Sequence, residues 1–291
     1  MAYGMSKEEL LQRFGEGNRI KVGARGHVTL IDLMGNDEAH VRAARVSYGN
    51  GTKTVREDRA LIRYLVRHAH SSPLEMSEIV LHIKAPIHVV RQLVRHRTAS
   101  MNEVSLRYSV VKDEFEFTEA DEWRLQSKDN KQGSDGLLSD RDAVLADLYS
   151  QEEASLLSSI KGFYHRMLDV GVAREMARKI LPLSTYTEFF WKIDVRNLFH
   201  FLKLRLDSHA QQEIRELAQA IYQIVQLWIP LTTEAFNDYQ LNAAMLSAQE
   251  IAILMEYFSV AEDIPRLKTL LAADPTLSSR EKTSFLSLLG L

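Results

Sequence analysis

The stretch EIVLHIKAPIHVVRQLVRHR, residues 78–97, constrains the fold most, because its hydrophobic period changes half-way. Residues 78–85 alternate apolar and polar, the two-residue repeat of a strand with one buried face. Pro86 suits the first position of a helix, and the residues after it predict one running to about Arg97. Three other segments read as extended. Residues 19–33 alternate around Gly23 and Gly26 like a hairpin. A second extended segment holds Tyr108, Val110, Phe115 and Phe117, and TYTEFFWKI (185–193) is aromatic and β-branched.

Most of the remaining chain carries helical signals. Asp37 is expected to cap a short run, EAHVRAARV, and Leu61, Ile62, Leu65 and Val66 share helical spacing within 55–69. SSP at 71–73 marks a turn, and the polar stretch 119–140 reads as an exposed loop. Long helices are expected at about 139–170 and 172–181. A helical region opens at 196 and reaches Trp228, with Ile214, Leu217, Ala218, Ile221, Val225 and Trp228 on one face. The expected class is α+β: a single helix-rich domain with a small antiparallel sheet, plus a C-terminal helical extension. The boundary is drawn at 1–245 for the main domain and 246–291 for a tail of short helices, where Ser247–Glu250 and Ser278–Glu281 look like capping boxes.

Composition narrows the chemistry. With no cysteine there are no disulfides, no thiolate metal sites and no cysteine nucleophile. A net charge of −3 draws the chain to neither nucleic acid nor membrane, so any anion site must be a local cluster of basic residues. The N-terminus is charged, with a capping box at Ser6 and Glu9, and does not read as a signal peptide. No apolar run approaches the roughly 20 residues of a membrane helix, so a cytoplasmic protein is expected.

The basic cluster lies in RQLVRHRTASMNEVSLRY (91–108). Arg91, Arg95, Arg97 and Arg107 surround His96, and Glu103 is the only acid present. A helix would put Arg91 and Arg95 on one face. A guanidinium is a planar fork that bonds two phosphate oxygens and stays charged. Ser100, Asn102, Glu103 and Ser105 offer short donors and acceptors for a base or sugar, on what reads as a loop. The block therefore reads as a nucleotide site; the plainer alternative is a solvated basic helix face.

The same block resembles, residue for residue, the signature of the flavin-dependent thymidylate synthases. It is carried here by Arg95, His96, Arg97, Ser100, Asn102, Glu103, Ser105, Arg107 and Tyr108, nine positions within fourteen residues. The resemblance extends through VRAARVS (41–47), SSPLE (71–75), KAPI (84–87), AREMARKILPL (173–183) and LRLDSHAQ (204–211). It implies reductive methylation of dUMP to dTMP, with FAD as cofactor and NADPH and methylenetetrahydrofolate as co-substrates. It also implies a homotetramer whose sites are shared between subunits; no nucleic-acid or membrane partner is expected from the charge and the absence of a long apolar run. The missing cysteine agrees, because the other class of thymidylate synthase attacks dUMP with a thiolate.

The resemblance implies that dUMP is held by Gln92, Arg95, Glu103, Val104, Ser105, Leu106, Arg107, Arg178 and Arg205. Arg205 is expected to face the uracil imide and to be the main activating residue. A structural ion pair to Glu175 or Asp207 is the alternative for Arg178 and Arg205. FAD is implied at Ser72, Arg95, His96, Arg97, Glu103, Asp194, Arg196, His200 and His209. Arg196, His200 and Lys203 recur along one helical stripe. No G-x-G-x-x-G is present, so side chains must hold the dinucleotide. Asp194 stands where asparagine is expected, and Leu106 fills a position that is often small, so contact there is expected through backbone. Ser105 lacks an adjacent base and reads as a ligand contact. His68 and His70 read as structural or flavin-site neighbours, with no metal expected. The competing functional class is a non-catalytic nucleotide- or RNA-binding protein using the same arginines. RNA modules pair basic residues with exposed aromatics, which here fall in core-like patterns apart from Tyr108.

Overall fold

The computed structural model describes residues 3–46, 54–110, 114–128, 131–260 and 264–291. Seven strands are present among them: β1 (Ile20–Val22), β2 (Gly26–Met34), β3 (Glu78–Pro86), β4 (Ser100–Glu103), β5 (Arg124–Gln126), β6 (Ser134–Leu137) and β7 (Tyr186–Asp194). Five form one antiparallel sheet in the order β1-β2-β3-β7-β4. The alternating stretch is its central strand. Leu81 sits opposite Trp191 and Ile83 opposite Phe189, and all four are buried, so the two-residue repeat directs one face into the core.

Two readings of the extended segments need correction. The loop expected at 119–140 contains the β5–β6 hairpin, with Gly136 at φ +69° and the Arg124 guanidinium tied to Gln212 and Glu213. The segment expected around Tyr108 to Phe117 contributes only a single bridge, Phe115 to Thr185. Tyr108 lies in a turn held by Ser105 O, and residues 111–113 fall outside the described residues.

The helices preceding the site are α1 (Lys7–Phe14), α2 (Asp37–Ala44), α3 (Val55–Arg67), the 3-10 turn Ser72–Met76 and α4 (Ile87–Leu93). After the hairpin come α5 (Leu138–Arg141), α6 (Ala143–Asp169), α7 (Arg174–Ala177) and the 3-10 turn Arg178–Ile180. The chain then adds α8 (Val195–Arg205), α9 (Gln212–Trp228) and α10 (Pro230–Phe236). The Ser6–Glu9 capping box forms as expected. So does the apolar face of α9, with Ile214, Leu217, Ala218, Ile221, Val225 and Trp228 all buried. Each of its large aliphatic side chains stabilises the fold by roughly 1.5–3 kcal/mol. The helical region expected from 196 to 228 is two helices, because residues 206–211 break it.

Asp37 does not cap α2. Asn36 does, accepting from Ala39 N, while the fully buried Asp37 carboxylate caps α10 instead. It accepts from Leu231 N (2.9 Å), Thr232 N (2.9 Å) and Thr232 Oγ1 (2.6 Å). His40 completes this network by donating from Nδ1 to Thr232 Oγ1 (2.9 Å), which leaves its buried Nε2 without a partner among the described residues. A proton on Nε2 would find no acceptor, and burial pushes the His40 pKa down to about 4. The unfolded chain takes up that proton near its ordinary value of 6.5. Between the two values the unfolded state binds more protons, so stability falls as pH drops from about 6.5 to 4, by about 3 kcal/mol at the limit. His40→Asn keeps a donor for Thr232 and has nothing to protonate, so its acid-side loss should be smaller. Urea denaturation at neutral and acid pH checks this, and identical acid slopes for both proteins would rule it out.

The described chain divides into two compact units, Met1–Phe236 and Asn237–Leu291. The second contains α11 (Ala248–Val260), α12 (Ile264–Ala273) and α13 (Ser279–Leu288), with capping boxes at Ser247–Glu250 and Ser278–Glu281. Among the described residues no helix is long and apolar enough to cross a membrane.

Candidate active site

The signature segment is built by a turn and an edge strand. α4 stops at Leu93, short of the expected Arg97. His96 N then donates to Leu93 O (3.0 Å), and the chain turns into β4. TASMNEVS is therefore only in part a loop: its middle, Ser100–Glu103, pairs with β7, Ser100 opposite Lys192 and Glu103 opposite Phe189. Pairing at the sheet edge wins over the helical pattern of residues 94–97, as tertiary context commonly does. Arg91 and Arg95 consequently do not share a helix face.

At the β4 entrance Arg95, His96 and Arg97 face α8 across a cleft of about 480 Å³. α8 begins directly where β7 ends because Asp194 caps it, accepting from Asn197 N (3.0 Å) and Asn197 Nδ2 (2.6 Å). That helix presents Arg196, Asn197, His200, Leu204 and Arg205 to the cleft. The lining arc is turned from the expected stripe. At about 100° per residue, Asn197 and Leu204 lie on the cleft side of Arg196, while Lys203 falls on the other. Asn197, Leu204 and Thr98 are lining residues that sequence reasoning missed; the angular position of α8 was the signal for the first two.

Electrostatically the cleft is almost purely cationic. Arg95 and Arg97 are exposed and ion-pair with no carboxylate among the described residues. Arg196 pairs with Glu75 (2.6 Å), which joins α8 to the turn carrying Ser72. The half-buried Arg205 donates from Nε to His96 Nε2 (3.2 Å) and from Nη2 to Gln92 O (3.4 Å). Burial holds the Arg205 pKa somewhat below its ordinary range, yet a guanidinium stays charged. Burial first, then the charges of Arg205 and His200, push the His96 pKa down to about 4, so its ring is neutral at pH 7. The Gln92 side chain bonds Gln211, which donates onward to Glu213 (2.6 Å), so α4 is tied to the start of α9.

The remaining expected residues gather elsewhere. Glu103 accepts from Thr187 Oγ1 (2.7 Å), and Val104 N donates to Glu188 O (2.9 Å), so both are set by β7. Ser105 Oγ accepts from Arg107 N (3.3 Å), and Ser105 O closes the turn through Tyr108 and Ser109. Leu106 packs with its side chain against the cluster of Tyr164 and Ala177, an anchoring role beyond the expected backbone contact. Arg107 lies beside Glu175 at 3.7 Å in a separate cleft with Tyr108 and Arg174, and Arg178 is exposed on the neighbouring 3-10 turn. β4 alone spans about 10–13 Å at some 3.3 Å per residue, so Arg95 and Arg107 emerge at opposite ends of it. His209 pairs with Asp207 (2.8 Å) and lines a third cleft, between the β5–β6 hairpin and α9. The structural pairs considered for Arg178 with Glu175 and for Arg205 with Asp207 do not form among the described residues. His68 and His70 pack against Tyr64, with ring centroids at 4.4 and 5.6 Å.

The family model described as Thymidylate synthase complementing protein matches residues 29–231, most of the chain. A flavin-dependent thymidylate synthase of Thermus thermophilus is 54% identical over 235 residues, 81% of this chain and 84% of the relative. The chain belongs to the flavin-dependent thymidylate synthases. A further synthase of that name, from Ehrlichia ruminantium, is 47% identical over 250 residues, 86% of this chain and 82% of the relative. Among solved structures, the UMP/dUMP methylase PolB from Streptomyces cacaoi bound with 5-Br dUMP superposes with a TM-score of 0.67 at 33% identity. That match covers 76% of this chain and 99% of PolB. FAD, the cofactor of the flavin-dependent synthases, is a dinucleotide with two linked phosphates. The cleft's donor set fits two linked phosphates: among the described residues Arg95 and Arg97 have no carboxylate to neutralise them, and His200 stands exposed on the facing helix.

Proposed function

We propose that this synthase converts dUMP to dTMP by reductive methylation, with methylenetetrahydrofolate as the carbon donor and NADPH as the source of reducing equivalents. The observation that carries the reading is the cationic cleft between the signature turn and α8, in which Arg205 is held from two sides. Arg95, Arg97 and His200 hold the FAD phosphates, with His96, Arg196, Ser72, Glu103, Asp194 and His209 around the rest of the cofactor. When bound, FAD supplies hydride chemistry.

Arg205 acts on dUMP through its open N–H edge. Facing N3, C4 and O4 of the uracil, a fixed cation favours negative charge there and polarises C5 and C6 before a bond forms. Arg107 and Arg178 neutralise the 5′-phosphate, Gln92 and the Glu103–Leu106 backbone orient the base and sugar, and Arg95 stands between substrate and cofactor. In one chain Arg107 and Arg205 line separate clefts, which favours a homotetramer in which the Arg107 end of one subunit completes the Arg205 cleft of another. The setting is the cytoplasm, and residues 246–291 supply none of the assigned residues.

An absorption spectrum of the purified protein, followed by anaerobic additions, tests the reading. A flavin band should bleach with NADPH and return only when dUMP and methylenetetrahydrofolate are both present. A colourless protein that takes up no added FAD would reduce the cleft to a bare nucleotide-binding surface.

A further inference from the structure

His96 sits in an arrangement that the flavin assignment alone does not explain. Its Nε2 is taken by Arg205 Nε–H at 3.2 Å, and its Nδ1 is enclosed by protein with no hydrogen-bond partner among the described residues. Neither ring nitrogen is therefore open to a ligand in the cleft. The ring is clamped instead by aromatic contacts, with Phe201 edge-on at 5.1 Å and His200 at 5.6 Å. Phe201 is itself fully buried and packs on Trp191 of β7. The imidazole is thus a rigid wedge mounted on the core.

We infer that His96 is the positioning residue for Arg205, a neutral imidazole whose Nε2 lone pair fixes the rotation of the guanidinium. Arg205 Nε carries only a donor, so Nε2 must be the unprotonated nitrogen and the ring proton must lie on Nδ1. That is the less common tautomer, and it is kept although Nδ1–H has no acceptor. With Nε on His96 and one Nη2 hydrogen on Gln92 O, three of the five N–H groups of Arg205 remain for substrate. His96 belongs to the signature and Gln92 to the last turn of α4 just before it, so the stretch that offers Arg95 and Arg97 to the cofactor also aims Arg205. The inference rests on the proposed function only for the identity of what Arg205 faces.

Nitrogen-15 NMR of imidazole in the protein as purified reads the tautomer directly. The expected result is an unprotonated Nε2 and a protonated Nδ1 for His96 in the wild type. In Arg205→Ala the lock is gone, and the ring should revert towards the ordinary Nε2–H form. Kinetics give a second readout. The amide oxygen of His96→Gln reaches the Nε2 position and can still accept from Arg205, whereas that of His96→Asn stops near the Nδ1 position. With rates normalised to bound flavin, His96→Gln should recover most of the kcat that His96→Asn loses, the latter falling about 10–100-fold. An Nε2–H ring in the wild type, or equal losses in both variants, would overturn the positioning role. A protein that binds neither FAD nor dUMP while showing the Nδ1–H ring would instead remove the proposed function and leave the His96–Arg205 lock standing.

Discussion

Arg205→Ala is expected to abolish dTMP formation while the protein still purifies with FAD. The guanidinium is held at its Nε and Nη2 before any substrate arrives, so it needs no reorganisation when charge develops on the uracil. Removing one preorganised donor of this kind costs about 10²–10³ in rate. Arg205 brings a full positive charge as well, so a loss of at least roughly 10³-fold is expected. FAD stays because Arg95, Arg97 and His200, the side chains assigned to its phosphates, are untouched. Arg205→Lys should recover only part of the rate. A single ammonium can donate to His96 or to substrate, but it lacks the planar fork that does both. The measurement is anaerobic dTMP formation by chromatography, with flavin content read from the visible spectrum of the same sample. Full turnover by Arg205→Ala would remove the residue from the mechanism. Loss of flavin together with activity would make it a cofactor residue.

The second large effect is on stability. Asp37→Ala should lower ΔG of unfolding by about 3–5 kcal/mol and Tm by roughly 10 °C. Three buried donors, Leu231 N, Thr232 N and Thr232 Oγ1, lose their common acceptor at once. Each such group costs about 1–3 kcal/mol when left unmade, less whatever relaxation recovers. Burial raises the Asp37 carboxyl above its ordinary range, and the same three donors oppose that rise. The start of α10 would loosen, and with it Glu234, which holds Arg59 and Arg63 of α3. Asp37 stands outside the cleft, so FAD content at low temperature should be unchanged. A melting shift under about 2 °C would show that α10 does not depend on this cap.

Much of the fold is legible in local patterns. The two-residue alternation of 78–85 marks the central strand, and the spacing from Ile214 to Trp228 marks the buried face of α9. Three capping boxes were readable from four-residue motifs. The failures share a cause. Residues 94–97 carry a helical pattern but turn into β4, because a ladder with β7 some ninety residues later outweighs it. Asp37 reads as a cap for the helix it opens, yet it caps one nearly two hundred residues away, while its neighbour Asn36 takes the local task.

By itself the sequence determined the family, the absence of thiol chemistry and the set of basic and polar residues available to a nucleotide. These are properties of composition and of a short contiguous motif, and they survive without knowledge of the fold. Only the tertiary structure decided which of those residues stand together. It placed Arg95, His96 and Arg97 against α8, sent Arg107 to another cleft with Arg178 on the 3-10 turn after α7, and set Arg205 on His96 across 109 residues of chain. Helical and strand periods reach a few residues along the backbone, whereas a site is assembled by edge pairing and packing between elements remote in sequence. No local pattern encodes the distance between two such elements.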